Sequence, residues 1–144
     1  MKSFSLALCL FLAVPLVSRA ETIAGAIQVD GVERTWLLFV PPGYREGTKH
    51  PLVLDLHGSG GTPEGQSRTS GLTQLAAEKE FFVVNAAGKY TRRSNAQTWN
   101  VDLDPNGVDD VRFMRALIAH LQQRYSIDPD RIYSTGFSGG ARMS

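Results

Sequence analysis

Apolar positions in this chain fall into three patterns: one leading block, several short runs, and one stripe at helical spacing. The leading block runs from Phe4 to Val17 behind Lys2, with the small residues Ser18 and Ala20 after it. Such an n-region, h-region and small-x-small order is that of a secretory signal, with cleavage expected after Ala20. The block is short for a membrane span and no charged stop-transfer flank follows it, so a stable anchor is not expected. Cys9 lies too early, behind Leu8, for lipoprotein processing.

Beyond the signal, AIQVDGVERTWLLFV reads as two strands joined at Asp30-Gly31, two residues that tolerate positive φ in a hairpin turn. The second strand, roughly Thr35 to Val40, ends at Pro41-Pro42-Gly43, which cannot continue a ladder. Leu52 to Leu56 is a short apolar run between turn residues, as a buried central strand would be. Asp55 interrupts it, and its carboxylate is expected to be satisfied by hydrogen bonds near the strand end. A helix is expected from about Ser70 to Glu80 on the stripe Leu72, Leu75 and Ala76, then a buried strand from Phe81 to Asn85. Residues 86–107 show no period and are rich in turn formers, which predicts a long loop of the kind that often carries function.

The clearest helix follows, on Val111, Met114, Ile118, Leu121 and Tyr125, with Asp109 and Asp110 at the positive end of its dipole. Asp128-Pro129-Asp130 then turns the chain into a short strand from Arg131 to Thr135. Alternating strands and helices predict an α/β fold: a mostly parallel sheet, helices on both faces, and an N-terminal hairpin.

Composition changes this picture little. A chain of 144 residues, 42% apolar and 20% charged, suits one globular domain. A formal charge of +1 without any Lys/Arg run argues against a nucleic-acid partner. Cys9 is the only cysteine, so the mature chain would hold no disulfide and would depend on its core. Without Lys2 and Arg19 of the signal, 13 of the 15 basic residues would face 14 acidic ones, close to neutrality.

Candidate chemistry lies in two glycine-rich turns. GFSGG, Gly136 to Gly140, sets Ser138 in a G-x-S-x-G pattern directly after a strand and before residues able to start a helix. That is the context of a nucleophile elbow. There the serine is held in a strained backbone conformation, and side chains two residues to either side would clash with the adjoining strand and helix. The second turn, HGSGG from His57 to Gly61, follows the Leu52 to Leu56 strand. Glycines there let main-chain N–H groups approach a tetrahedral oxygen, which makes Ser59, Gly60 and Gly139 candidates for an oxyanion hole. Two alternatives stay open on these residues: turns that merely pack closely, or a phosphate cradle. Neither G-x-x-x-x-G-K-[ST] nor G-x-G-x-x-G is present to support the cradle.

The stretches VPPGY, PLVLDLHGSGGT, GLTQLAAEKEFFVV, TWN, DDVRFMRALIAHLQQRYSIDPDRIY and TGFSGGARMS resemble, in order and spacing, the secreted α/β-hydrolases of the polyhydroxybutyrate depolymerase and feruloyl esterase group. The resemblance spans about Leu37 to Ser144. It implies hydrolysis of a carboxylic ester through an acyl-enzyme, with no cofactor and no metal, on small-molecule or polymer-derived substrates. It assigns Ser138 as nucleophile, Ser59 and Gly139 as donors of main-chain amides, and Trp99 and Asn100 to the neighbourhood of the substrate cleft. Residues 1–20 would be the signal, the protein secreted or periplasmic, and 21–144 the N-terminal part of the catalytic domain. Many relatives carry a pair of cysteines where this chain has Ser59 and Thr98.

In the resembled family the triad acid and histidine follow the nucleophile, so the fold is expected to be incomplete at the C-terminus and the 144-residue chain inactive alone. His57 is expected to hold its loop by a hydrogen bond, His50 to lie at the far end of the sheet, and His120, inside a helix beside the apolar stripe, to be a surface or boundary residue. Peptidase or lactone hydrolase activity on the same fold is an alternative, as is a non-catalytic secreted binding module.

Overall fold

The structure, a computed structural model, describes residues 19–91 and 94–144. The expected signal, apart from Arg19 and Ala20, lies outside the described residues. Strands β1 (Glu21–Val29) and β2 (Val32–Val40) form the hairpin, in register from Glu21 opposite Val40 to Val29 opposite Val32. Asp30 and Gly31 turn it with φ of 52° and 75°, the pair of left-handed residues whose twist matches the flanking strands. Then follow β3 (His50–Leu56), α1 (Pro63–Thr69), α2 (Leu72–Lys79), β4 (Phe82–Ala86), β5 (Lys89–Thr91), β6 (Ser94–Thr98), α3 (Asp110–Gln122), β7 (Ile127–Gly136) and α4 (Gly139–Met143).

The main sheet has the order β1-β2-β4-β3-β7. β4, β3 and β7 run parallel, while β2 is antiparallel to both its neighbours, so four of the five strands point the same way. The parallel centre is buried on both faces, which is why FVVNA of β4 is apolar almost throughout. On one face Leu52, Leu54, Leu56, Phe82 and Val84 pack with Phe113, Met114, Leu117 and Leu121 of α3. On the other, Phe39 and Val83 pack with Ala76 of α2. Helices thus cover both faces, and no helix among the described residues is long and apolar enough to cross a membrane.

Three local expectations are corrected, and one helix is added. Of the expected α3 stripe, Met114 and Leu121 are buried and Ile118 and Tyr125 pack against the core, but Val111 is exposed and Phe113 and Leu117 fill the centre of the face. Residues 63–69 form a helix, α1, in which Thr62 caps by accepting from the Gly65 N–H at 3.1 Å and Pro63 starts the first turn. Part of the expected loop at 86–107 is an antiparallel pair, β5 with β6. The Asp128-Pro129-Asp130 segment lies within β7 as an irregularity, with Ile127 opposite His50 but Ile132 opposite Leu52.

Asp110 lies in the first turn of α3 as expected, and it has a further role. Its carboxylate is buried, paired with buried Arg34 of β2, and accepts from the Asn100 N–H at 2.6 Å. Asp109 caps the helix, accepting from the Arg112 N–H at 2.8 Å. Asp55 meets its expectation, buried and accepting from Gln66 of α1 at 2.7 Å and Asn85 of β4 at 3.0 Å.

Candidate active site

β7 ends at Gly136, and Phe137 donates its N–H to the Leu56 carbonyl at 3.0 Å, tying the turn to the end of β3. Ser138 comes next, exposed, at φ 50° and ψ −111°. A non-glycine residue there carries about 1–3 kcal/mol of backbone strain and stays there only where its surroundings enforce it. The surroundings do. Gly140 donates to the Phe137 carbonyl at 2.9 Å and Arg142 to that of Ser138 at 3.2 Å, which starts α4 immediately. The flanking glycines are steric necessities. A Cβ on Gly136 would lie 2.6 Å from the Leu56 oxygen, and one on Gly140 would overlap that oxygen and lie 2.7 Å from the His57 oxygen.

The second turn packs on the first. A Cβ on Gly58 would lie 3.4 Å from Cβ of Ser138, and one on Gly139 would lie 3.3 Å from the Ser59 nitrogen. The N–H groups of Ser59 and Gly139 therefore border Ser138, and neither has an acceptor among the described residues. Gly60 is different: its N–H donates to the Gln97 carbonyl of β6 at 2.7 Å. That amide is committed to the small sheet, so Gly60 is withdrawn from the candidate donors. The hydroxyls of Ser59 and Thr98 lie 3.1 Å apart, within hydrogen-bond reach across the two segments.

His57 is buried and fixed at both ring nitrogens. Nε2 accepts from the Gly88 N–H at 2.9 Å, so Nδ1 carries the proton and donates it to the Gly58 carbonyl at 2.7 Å. This leaves no nitrogen free for a proton relay. Trp99 stacks on the ring at 5.0 Å between centroids and donates its indole N–H to the His57 carbonyl at 2.8 Å.

Two cleft assignments change with this. Trp99 is 3% exposed, spent on packing His57 rather than facing a cleft. Asn100 borders a surface cavity with Leu103, Asp104 and Val108. Its amide, however, is occupied, donating to the Asp104 and Val108 carbonyls and accepting from the Asp104 N–H. Asn100 shapes the loop after β6; it does not present a free group to a substrate.

The other histidines are remote. His50, at the N-terminal end of β3, donates through Nδ1 to the Glu80 carbonyl at 2.7 Å and packs on Tyr44 and Phe82. His120 lies edge-on to Trp36 and accepts at Nδ1 from Arg124 at 2.9 Å. Burial first, and then the Arg124 charge, hold its pKa below that of a free imidazole. No group of His, Cys, Asp or Glu among the described residues could hold a metal ion.

Sequence reading passed over Arg34 and the buried role of Asp110. A signal existed: Arg34 alternates in phase with Trp36, Leu38 and Val40 of β2, all buried, so a charge sits on a core face and demands a counter-ion.

No family model matches the chain. It is 35% identical over 136 residues to a protein of Nocardia uniformis subsp. tsuyamanensis provisionally named esterase NocK, covering 89% of this chain and 37% of that one. It is 32% identical over 107 residues to feruloyl esterase B of Piromyces equi, covering 72% and 19%. With poly(3-hydroxyalkanoate) depolymerase C of Paucimonas lemoignei it shares 31% over 96 residues, covering 65% and 23%. Among solved structures, an S-formylglutathione hydrolase from Agrobacterium tumefaciens superposes with a TM-score of 0.69 at 19% identity, over 85% of this chain and 50% of that one. The chain thus spans well under half the length of these curated relatives. It has the α/β-hydrolase fold, and the curated proteins it is similar to are esterases, among them a feruloyl esterase and a poly(3-hydroxyalkanoate) depolymerase.

Proposed function

We propose that the protein is an exported serine ester hydrolase that works through an acyl-enzyme on Ser138. One observation carries this: Ser138 is forced to φ 50° on an exposed turn that packs against the Ser59 turn, where the Ser59 and Gly139 main-chain N–H groups have no acceptor among the described residues. A strained serine beside two unspent donors suits attack on an ester carbonyl.

In this reading Ser138 Oγ adds to the carbonyl carbon while its proton passes to a base. The tetrahedral oxyanion accepts from the N–H groups of Ser59 and Gly139. Collapse expels the alcohol, which takes up that proton, and water then releases the acid by the same steps. His50, His57 and His120 are each engaged elsewhere, so the base and its orienting acid are assigned to sequence outside the described residues. Export rests on the leader that ends at Ala20. The names of the relatives favour feruloyl, acetyl-xylan or hydroxyalkanoate esters as substrates.

The test is hydrolysis of p-nitrophenyl butyrate, methyl ferulate and a hydroxybutyrate oligomer by the full-length protein. Turnover of at least one ester, with Ser138→Ala lowering kcat by about 10⁴-fold or more, is expected. A folded protein that turns over none of them, or a Ser138→Ala variant as active as the wild type, would remove the reading.

A further inference from the structure

We propose that the buried Arg34–Asp110 pair positions the oxyanion amide of Ser59, through two hydrogen-bonded branches that meet on His57. The proposal rests on the serine-hydrolase reading above. Arg34 and Asp110 carry opposite charges at side-chain exposures of 2% and 1%, one on β2 and the other at the start of α3. A buried pair of this kind is commonly no more stabilising than an apolar replacement, so stability alone is a weak reason for it. Its connections supply a better one.

The first branch runs through main-chain peptide units. Arg34 Nη2 donates to the Ala87 carbonyl at 3.2 Å, and the N–H of that same peptide unit, on Gly88, donates to His57 Nε2 at 2.9 Å. On the other side of the ring, His57 Nδ1 donates to the Gly58 carbonyl at 2.7 Å. The N–H of that second peptide unit is Ser59, the candidate oxyanion donor. Fixing the Gly58 carbonyl fixes where the Ser59 N–H points. A guanidinium at one end also polarises each successive donor in the same sense.

The second branch holds the main chain of His57. Asp110 accepts from the Asn100 N–H at 2.6 Å, which anchors the residue after Trp99. Trp99 in turn donates to the His57 carbonyl at 2.8 Å and covers the ring. Gly88 must be glycine for the branches to close, because a Cβ there would lie 2.6 Å from the Thr98 oxygen and 3.2 Å from His57 Cε1.

Three variants of the full-length protein test this, each first shown to be folded by circular dichroism. Arg34→Met with Asp110→Asn removes the charges without stranding either one and keeps an acceptor for the Asn100 N–H. Arg34→Lys retains a donor at that place. Trp99→Phe keeps the ring contact and deletes the indole N–H. Ester hydrolysis, inhibition by a trifluoromethyl ketone, whose hemiketal oxyanion occupies the same hole, and fluorophosphonate labelling of the wild type are measured together.

The double variant is expected to lose about tenfold to a hundredfold in kcat with KM nearly unchanged, and to bind the ketone weaker by the same factor. Trp99→Phe is expected to show the same split to a smaller degree, and Arg34→Lys to recover most of the loss. Should the double variant fail to fold, the split in Trp99→Phe decides. Folded variants with kcat and ketone affinity within about twofold of wild type would overturn the positioning role. A wild type that does not label at Ser138 would instead remove the serine-hydrolase reading, and this proposal with it.

Discussion

Ser138 sits in a conformation that the chain alone would not choose, and the strain is held in place by neighbours that tolerate no side chain at 136 or 140. Relieving it should therefore separate stability from activity. In the full-length protein, Ser138→Gly is expected to unfold at higher urea than Ser138→Ala, by about 1 kcal/mol, because only glycine occupies a φ of 50° without cost. Both variants would be inactive. Equal stability, or a less stable glycine variant, would show that the turn is not strained. At this scale the elbow was legible, since G-x-S-x-G after a strand states the steric problem that Gly136 and Gly140 solve. Gly60 was not: its N–H is consumed by Gln97, in a strand too polar to announce itself.

Elements were legible where burial was two-sided or one-sided without exception. β3 and β4 read as apolar runs, and the hairpin was fixed by Asp30-Gly31. The polar β5–β6 pair has no alternation to read, and α1 was hidden by its shortness and its internal Gly65, although Thr62-Pro63 is a proper helix start. On α3 the helix and most of its inward face were clear, with Met114, Ile118, Leu121 and Tyr125 against the core; only Val111 was misplaced, because Val111 and Phe113 can each begin a stripe and the sheet opposite decides between them.

The last turn of α3 carries a pH-dependent feature. The Nδ1 of His120 accepts from Arg124, and burial first, then the Arg124 charge, lower its pKa. Its folded pKa lies below its unfolded one, so as pH falls through about 6.5 the unfolded chain takes up the proton first and stability declines. In the full-length protein, an imidazole titration followed by NMR should place His120 below 6.5. Arg124→Met should move it upward but only part of the way, since burial is the larger cause. A His120 that titrates at or above 6.5 would contradict this placement.

Taken as a whole, the molecule brings its chemistry to the C-terminal ends of β3 and β7, adjacent parallel strands whose following turns meet at Ser59 and Gly139. The two glycine-rich turns, each after a strand of an expected parallel sheet, pointed to this edge, because parallel strands put their following loops at one end of the sheet; that β3 and β7 are neighbours came from the structure. The buried support behind it was less accessible. Arg34 and Asp110 are 76 residues apart in the chain, and only the packing of α3 across β1 and β2 makes them partners. Sequence patterns show which residue breaks an apolar face; they do not show which distant residue answers it.

The central claim is that Ser138 is a nucleophile activated in place. Labelling the full-length protein with a fluorophosphonate probe and mapping the adduct by peptide mass spectrometry tests it most directly. The account predicts a saturable adduct on Ser138 that is lost in Ser138→Ala. A folded protein that takes no label, or one whose label persists in Ser138→Ala, would contradict it.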